Sequence, residues 1–582
     1  MRLALAAFVL LVAAPVQAQW SPAPAPVRAS RGMVVSAERH ASEAGVAAMR
    51  AGGNAIDAAV ATGFALGVTF PVAGNVGGGG FLVVRFPDGT ATTLDFRETA
   101  PAAATRDMFL DSTGTFVPAR SQIGALAAGV PGSVAGLVEA HARWGRLPLA
   151  DVLAPAVALA ERGYPLSRDE AARLNAFRTP FSAFPSTARA FVPTSPYAEG
   201  DTLRQPDLAA VLLRIRDAGR DGFYTGETAR LIAAEMERNG GLITLADLAA
   251  YRPVERPPVV GTYRGHRVIA MGPPSSGGIA LLQMLASVEP FDVRALGFNS
   301  SATVHLTGEA MRRAYADRAE WLGDPDFVRV PVAGLLDSAY VRSRMATFDP
   351  ARMTPSDTVS AGAPPHESDQ TTHYSVVDAD GTAVSVTTTL NGAYGSGLVV
   401  GGAGFLLNNE MDDFAAAPGV PNQFGLVGTD ANAVAPGKRM LSSMTPTIVE
   451  GPDGRLRLVV GSPGGGRIIT TVFEAILNVV DHGMTISEAV AAPRIHHQWR
   501  PDVLFAERGA LARDVSDALR ARGWTVAEEA GHWSRADAVL VACDATEAAV
   551  DPSGLARTET LGAGCVLLGG ADPRGEDTAV GF

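Results

Sequence analysis

Two strand-like runs of nearly equal length, the second rich in threonine, stand on either side of a short connection, and this pattern constrains the fold more than any other stretch of the chain. Thr372-His373-Tyr374-Ser375-Val376-Val377-Asp378 and the run from Thr382 to Thr389 both have the β-branched composition of strands. Between them Ala379-Asp380-Gly381 places glycine last, which suits a hairpin with a bulge. A hairpin centred on Asp380 sets Thr371 opposite Thr389, with Asn391 just beyond. Two hydroxyls then meet at one end of a strand pair. Threonine favours strands whatever its role, so on composition alone the hairpin is either a plain β element or one that carries chemistry.

The remainder reads as helices wrapped around such strands. From about His40 to Val68 apolar residues recur at helical spacing around Gly52-Gly53-Asn54, which predicts two helices broken at that turn. The run Gly74-Asn75-Val76-Gly77-Gly78-Gly79-Gly80 is either a plain loop or a place of close backbone approach. It leads into Phe81-Leu82-Val83-Val84-Arg85-Phe86, a buried strand by composition. Helical patterns return over Leu208 to Arg216 and Val304 to Ala316, and from Thr371 onward the texture changes to closely spaced strands. No repeat of solenoid period is present. The expected class is α/β in layers, helices covering packed sheets. With 582 residues, 47% of them hydrophobic, the chain can bury a large core. Its net charge of −12 is scattered and offers no basic face, which argues against nucleic acid as a partner.

The first residues carry a different signal. Met1-Arg2 is followed by apolar residues from Leu3 to Ala14, and Val16-Gln17-Ala18 supplies small residues for a peptidase. This predicts a secretory signal over 1–18, cut after Ala18, and a periplasmic or secreted product. Gln19 to Arg31 reads as an exposed leader. No later segment reaches the roughly 18 apolar residues of a membrane span. Cys543 and Cys565 are compatible with a bridge in an oxidising compartment or with two separate buried thiols.

Ser368-Asp369-Gln370-Thr371 followed by the run from Thr372 to Asp378 resembles the cleavage region of the γ-glutamyltransferases. The likeness continues in Asp95-Phe96-Arg97-Glu98-Thr99-Ala100-Pro101, Leu406-Leu407-Asn408-Asn409-Glu410-Met411-Asp412-Asp413-Phe414, Leu441-Ser442-Ser443-Met444 and Gly461-Ser462-Pro463-Gly464-Gly465. Five motifs in the family's order span nearly all of the chain after the signal. The resemblance implies an N-terminal-nucleophile hydrolase fold, four-layered αββα. It also implies cleavage between Gln370 and Thr371 into a large subunit, 19–370, and a small one, 371–582, forming one intertwined heterodimer.

The residues suit that chemistry. A threonine hydroxyl is a poor nucleophile until a base takes its proton. Cleavage would free the Thr371 amine, whose reference pKa of about 7.7–8.0 makes it a base near neutrality. Thr389 can orient that amine, and Gly464 and Gly465 can offer backbone N–H groups to an oxyanion. The lysine of a phosphate loop is missing there and Pro463 removes a donor, which counts against phosphate binding. A γ-glutamyl substrate, glutathione foremost, carries an α-carboxylate for Arg97, Ser442 and Ser443 and an α-ammonium for Glu410, Asp413 and Asn391. The acyl group would pass to an amino acid, a peptide or water. Phe424 stands where some relatives have tyrosine in a covering loop. His496 and His497 are adjacent, cannot easily share one ion and lack a third ligand, so neither a metal nor an organic cofactor is expected. A glutaryl or cephalosporin acylase of the same fold, and a binding protein that never matures, are the competing readings.

Overall fold

The computed structural model describes residues 23–360, 372–416, 420, 422–423, 429–531, 533–543 and 565–582. The hairpin forms as its pattern predicts. Thr372–Asp378 pairs antiparallel with Ala383–Thr389 in the register Thr372↔Thr388, His373↔Thr387, Val377↔Ala383, which is centred on Asp380. The connection takes in Thr382 as well as the three expected residues. The reason is local: Asp378 Oδ1 accepts from the N–H groups of Asp380 and Thr382, so Thr382 serves the turn and not the strand. Gly381 closes it at φ 84°, a conformation that favours glycine.

This hairpin is the centre of a seven-stranded antiparallel sheet, ordered Thr578–Gly581, Gly32–Ser36, Thr372–Asp378, Ala383–Thr389, Gly79–Arg85, Ala91–Asp95, Val254–Arg256. A second sheet of seven runs Val27–Ala29, Val566–Gly570, Asp537–Ala542, Leu456–Gly461, Thr447–Glu450, His266–Ala270, Val259–Tyr263. The sheets face each other through Val35, Phe81, Val83, Val377, Ile448, Val459 and Val539. Alternate residues of the same strands, Val34, Leu82, Val84 and Val376, turn outward to the helices. This period of two follows from the pleat. It puts both faces of the hairpin in the interior, which is why its strands are buried throughout.

The two predicted helices are Arg39–Arg50 and Ala55–Thr69, packed on the outer face of the first sheet. Asn54 caps the second, accepting from the N–H groups of Ile56 and Asp57 while Asp57 accepts from Asn54 N. Asp378 Oδ2 also accepts from Ala55 N at 2.9 Å, docking the hairpin turn onto that helix N-terminus. Gly277–Val288, Ser301–Trp321 and Gly466–Val480 cover the second sheet from outside. The result is four layers, αββα. The strand-rich texture expected after Thr371 is only part of the outcome, since Gly466–Val480, Ile486–Ala491 and Arg513–Ala521 are helical. The glycine run is a close approach: a Cβ at Gly78 would lie 2.0 Å from Thr389 O, and one at Gly80 2.4 Å from Thr387 O. Cys543 and Cys565 are disulfide-bonded at the ends of adjacent strands. Among the described residues no helix is long and apolar enough to cross a membrane.

Candidate active site

The open end of the hairpin is tied to the segment that follows Leu406. Thr389 Oγ1 accepts from Asn391 N at 2.8 Å, and Asn391, at φ 73°, donates from Nδ2 to Asn409 O at 3.0 Å. Asn409 returns the contact by accepting from Gly392 N at 2.7 Å. Thr389 and Asn391 are therefore one residue away from Glu410 through direct hydrogen bonds. Thr371 and its pairing with Thr389, the cleavage site after Gln370, the signal over 1–18 and Phe424 all lie outside the described residues.

Arg97 is the hub of the next layer. It is buried, and its guanidinium pairs with both Glu410 and Asp413. The same group donates to Met440 O at 3.3 Å and Leu441 O at 3.2 Å, which fixes the backbone entering Ser442-Ser443. Ser442 Oγ accepts from Met444 N at 3.2 Å, and Ser443 Oγ accepts from Arg318 Nη2 at 3.0 Å. The structure thus gathers Arg97, Glu410, Asp413, Ser442 and Ser443, with Asn391 and Thr389 alongside. The two acids and the arginine that were expected at opposite ends of a substrate touch one another directly.

Gly464 and Gly465 form the turn into the helix Gly466–Val480, at φ 124° and 59°. Positive φ at both positions needs glycine, and the helix N-terminus adds partial positive charge there. The preceding strand ends at Gly461, where a Cβ would meet the His373 ring at 2.4 Å. His373 bridges Thr387 Oγ1 at 2.9 Å and Ser375 Oγ at 3.0 Å, and burial pushes its pKa down to about 3. It is a neutral spacer between the sheets. His496 and His497 take separate partners, His496 bonding Thr470 and Gln498 and His497 bonding Asp502.

Sequence reasoning passed over Glu98, Ser275, Ser276 and Arg318. Ser275 and Ser276 both donate to Ser442 O, at 3.1 and 2.8 Å. Glu98 lies 3.9 Å from Arg97 Nη1, fully buried, with neither carboxyl oxygen hydrogen-bonded in the structure. Its only sequence signal was its place beside Arg97. Burial pushes its carboxyl up to about 8, against the pull of Arg97. Burial likewise raises Glu410 well above the usual carboxylate range, with Glu98 and Asp413 adding to the rise. One guanidinium faces three carboxyls. Nearby Asp95 is answered separately by Arg256 at 2.8 Å and Arg439 at 3.4 Å.

A carboxyl whose pKa rises on folding adds stability below its unfolded value and loses it as pH climbs through the folded one. For Glu98 that window runs from about 4.5 to about 8. Glu98→Gln, which mimics the protonated form, should melt like the wild type at pH 4. At pH 9 it should be more stable by about 1–3 kcal/mol, the range for a buried unsatisfied polar group. Melting curves at the two pH values check this, and equal differences at both would remove the carboxyl from the balance.

Two facing seven-stranded sheets between helical layers, with a glycine turn beside the first sheet's central hairpin, define the N-terminal-nucleophile hydrolase fold. The structure superposes on that of cephalosporin acylase from Bacillus halodurans with a TM-score of 0.82 at 27% identity, covering 97% of this chain and 98% of that one. Against Helicobacter pylori gamma-glutamyltranspeptidase the TM-score is 0.56 at 45% identity, covering 58% and 96%. In sequence the chain is 50% identical over 505 residues to the glutathione hydrolase proenzyme of Escherichia coli (strain K12), 86% of this chain and 87% of that protein. The pattern of the family described as Gamma-glutamyltranspeptidase matches residues 41–560. The chain belongs to the γ-glutamyltranspeptidase family, and it is an enzyme of the γ-glutamyltransferase type.

Proposed function

We propose that the chain is a periplasmic or secreted precursor that cuts itself between Gln370 and Thr371, yielding fragments 19–370 and 371–582 that stay together. The mature enzyme then moves γ-glutamyl groups from glutathione and related donors to amino acids, peptides or water. Cleavage begins when the Thr371 hydroxyl attacks the Gln370 carbonyl; the peptide C–N bond breaks, freeing the Thr371 amine and leaving an ester that water opens to a Gln370 carboxylate and the Thr371 hydroxyl. That amine next takes the proton of its own hydroxyl as Oγ1 attacks the donor's γ-carbonyl. The N–H groups at Gly464 and Gly465 stabilise the oxyanion, the leaving amine departs with the proton, and an acceptor amine or water attacks the threonine ester. Thr389 holds the amine in place.

The observation that carries this reading is the charge of the buried cluster. Three carboxyls surround the single Arg97 guanidinium, and burial makes an unanswered carboxylate costly, so the cluster favours one more cation. An α-ammonium supplies that cation at Glu410, Asp413 and Asn391. The α-carboxylate takes over Arg97 and adds Ser442 and Ser443. A glutaryl group brings only the carboxylate and no cation for the surplus carboxyls, which would have to stay protonated. That is the argument against the acylase reading, which the structural likeness to cephalosporin acylase otherwise favours.

N-terminal sequencing and intact mass of the purified protein test the proposal first. Two fragments are expected, the smaller beginning Thr371-Thr372-His373-Tyr374, together with γ-glutamyl turnover. A single folded, uncut chain would overturn it in favour of a binding protein. Asp413→Ala should lower kcat/KM for γ-glutamyl donors about 10–100-fold more than for glutaryl ones, as expected for one charge-assisted hydrogen bond. Equal losses on both donors would remove Asp413 from the ammonium site.

A further inference from the structure

Ser442 and Ser443 are short, rotatable hydroxyls, each able to donate once and accept twice. What they present to a ligand therefore depends on what the protein has already given them. Ser443 Oγ receives a hydrogen from Arg318 Nη2 at 3.0 Å, and a guanidinium can only donate. Ser442 Oγ receives one from Met444 N at 3.2 Å. Among the described residues neither hydroxyl has a hydrogen-bond acceptor for its own hydrogen.

Arg318 acts on the pair by a second route. Its Nε donates to Ser276 Oγ at 2.9 Å, and Ser276 donates onward to Ser442 O at 2.8 Å. The arginine is fully buried near the C-terminal end of the helix Ser301–Trp321. One turn earlier on that helix, Tyr315 donates its hydroxyl to Gly466 O, just past the glycine turn. The Arg318 guanidinium lies 5.9 Å from the Tyr315 ring centroid. A single rigid helix thus touches the serine pair and the turn of Gly464-Gly465.

We propose that Arg318 is a positioning residue that holds Ser443, and through Ser276 the Ser442 backbone, so that the pair presents two O–H donors to the substrate's α-carboxylate. The inference rests on the carboxylate reading of Ser442 and Ser443 given above. A carboxylate accepts only and suits two donors. An ammonium donates only; it would find one lone pair of Ser443 already taken by Arg318 and would leave the serine O–H groups unused. Arg318 so contributes to which end of the zwitterion binds at the serines.

The test compares γ-glutamyl donors bearing a free α-carboxylate with the same donors bearing an α-carboxamide. The readout is the ratio of the two kcat/KM values, which a merely structural defect would leave unchanged. Arg318→Met should lower the wild-type ratio about tenfold, the loss expected for one hydrogen bond to a charged group. Ser443→Ala should lower it similarly, and the double variant should fall by less than the two single losses combined, because part of the effect of Arg318 runs through Ser443. Arg318→Lys, which keeps the charge but reaches one hydroxyl at a time, should lie between; it serves if the Met variant does not mature. A wild-type ratio in Arg318→Lys and Arg318→Met, or full additivity with Ser443→Ala, would overturn the role of Arg318. A wild-type ratio in Ser443→Ala, or no carboxylate preference in the wild type, would instead overturn the assignment of the serine pair.

Discussion

Thr371→Ala is expected to purify as one uncut chain with γ-glutamyl turnover lowered by about 10⁴-fold or more, the scale seen when a catalytic nucleophile is removed. The two losses share one cause. On the proposed mechanism, without the hydroxyl nothing attacks the Gln370 carbonyl, so the α-amine that would act as base is never released. Activity therefore fails twice over in one substitution. Thr371→Ser separates this from a folding defect, because it keeps the hydroxyl and should still cut and turn over, though more slowly. Intact mass and a γ-glutamyl release assay on the three proteins check the prediction. A processed or active alanine variant would mean that another residue is the nucleophile.

Gly464→Ala should lower kcat about 10²–10³-fold in a protein that still folds, which is the loss typical of removing one oxyanion donor. Two observations show that the turn cannot take a side chain unchanged. At φ 124° an L-residue is strained whatever the space around it, and the new Cβ would lie 2.0 Å from Ser534 Oγ. The turn must move, and with it the N–H groups proposed to face the oxyanion. Gly464→Ala combined with Ser534→Gly relieves the collision but not the backbone strain, so it should recover only part of the loss. Turnover by the purified variants, with circular dichroism as the folding control, gives the answer. A Gly464→Ala enzyme within twofold of the wild type would place the oxyanion donors elsewhere.

The chain itself determined whatever depends on neighbours in sequence. The hairpin register centred on Asp380 follows from alternation and one glycine, because a strand pair joined by a short turn has little freedom to slip. The helices on either side of Gly52-Gly53-Asn54 were legible for the same reason, since Asn54 caps within its own three residues. Family likeness then named Arg97, Glu410, Asp413 and the serine pair one by one, but not what each touches. Arg97 and Asp413 are 316 positions apart, and Arg318 and Ser443 are 125 apart. Only the packing of two sheets and their helices brings such residues together, and no local spacing encodes those distances. Whether Gly77 to Gly80 was a loop or a close approach, and whether the two cysteines were bridged, turned on the same thing. The direction in which Ser443 offers its hydrogen was also decided there, by a buried arginine on a helix outside the second sheet.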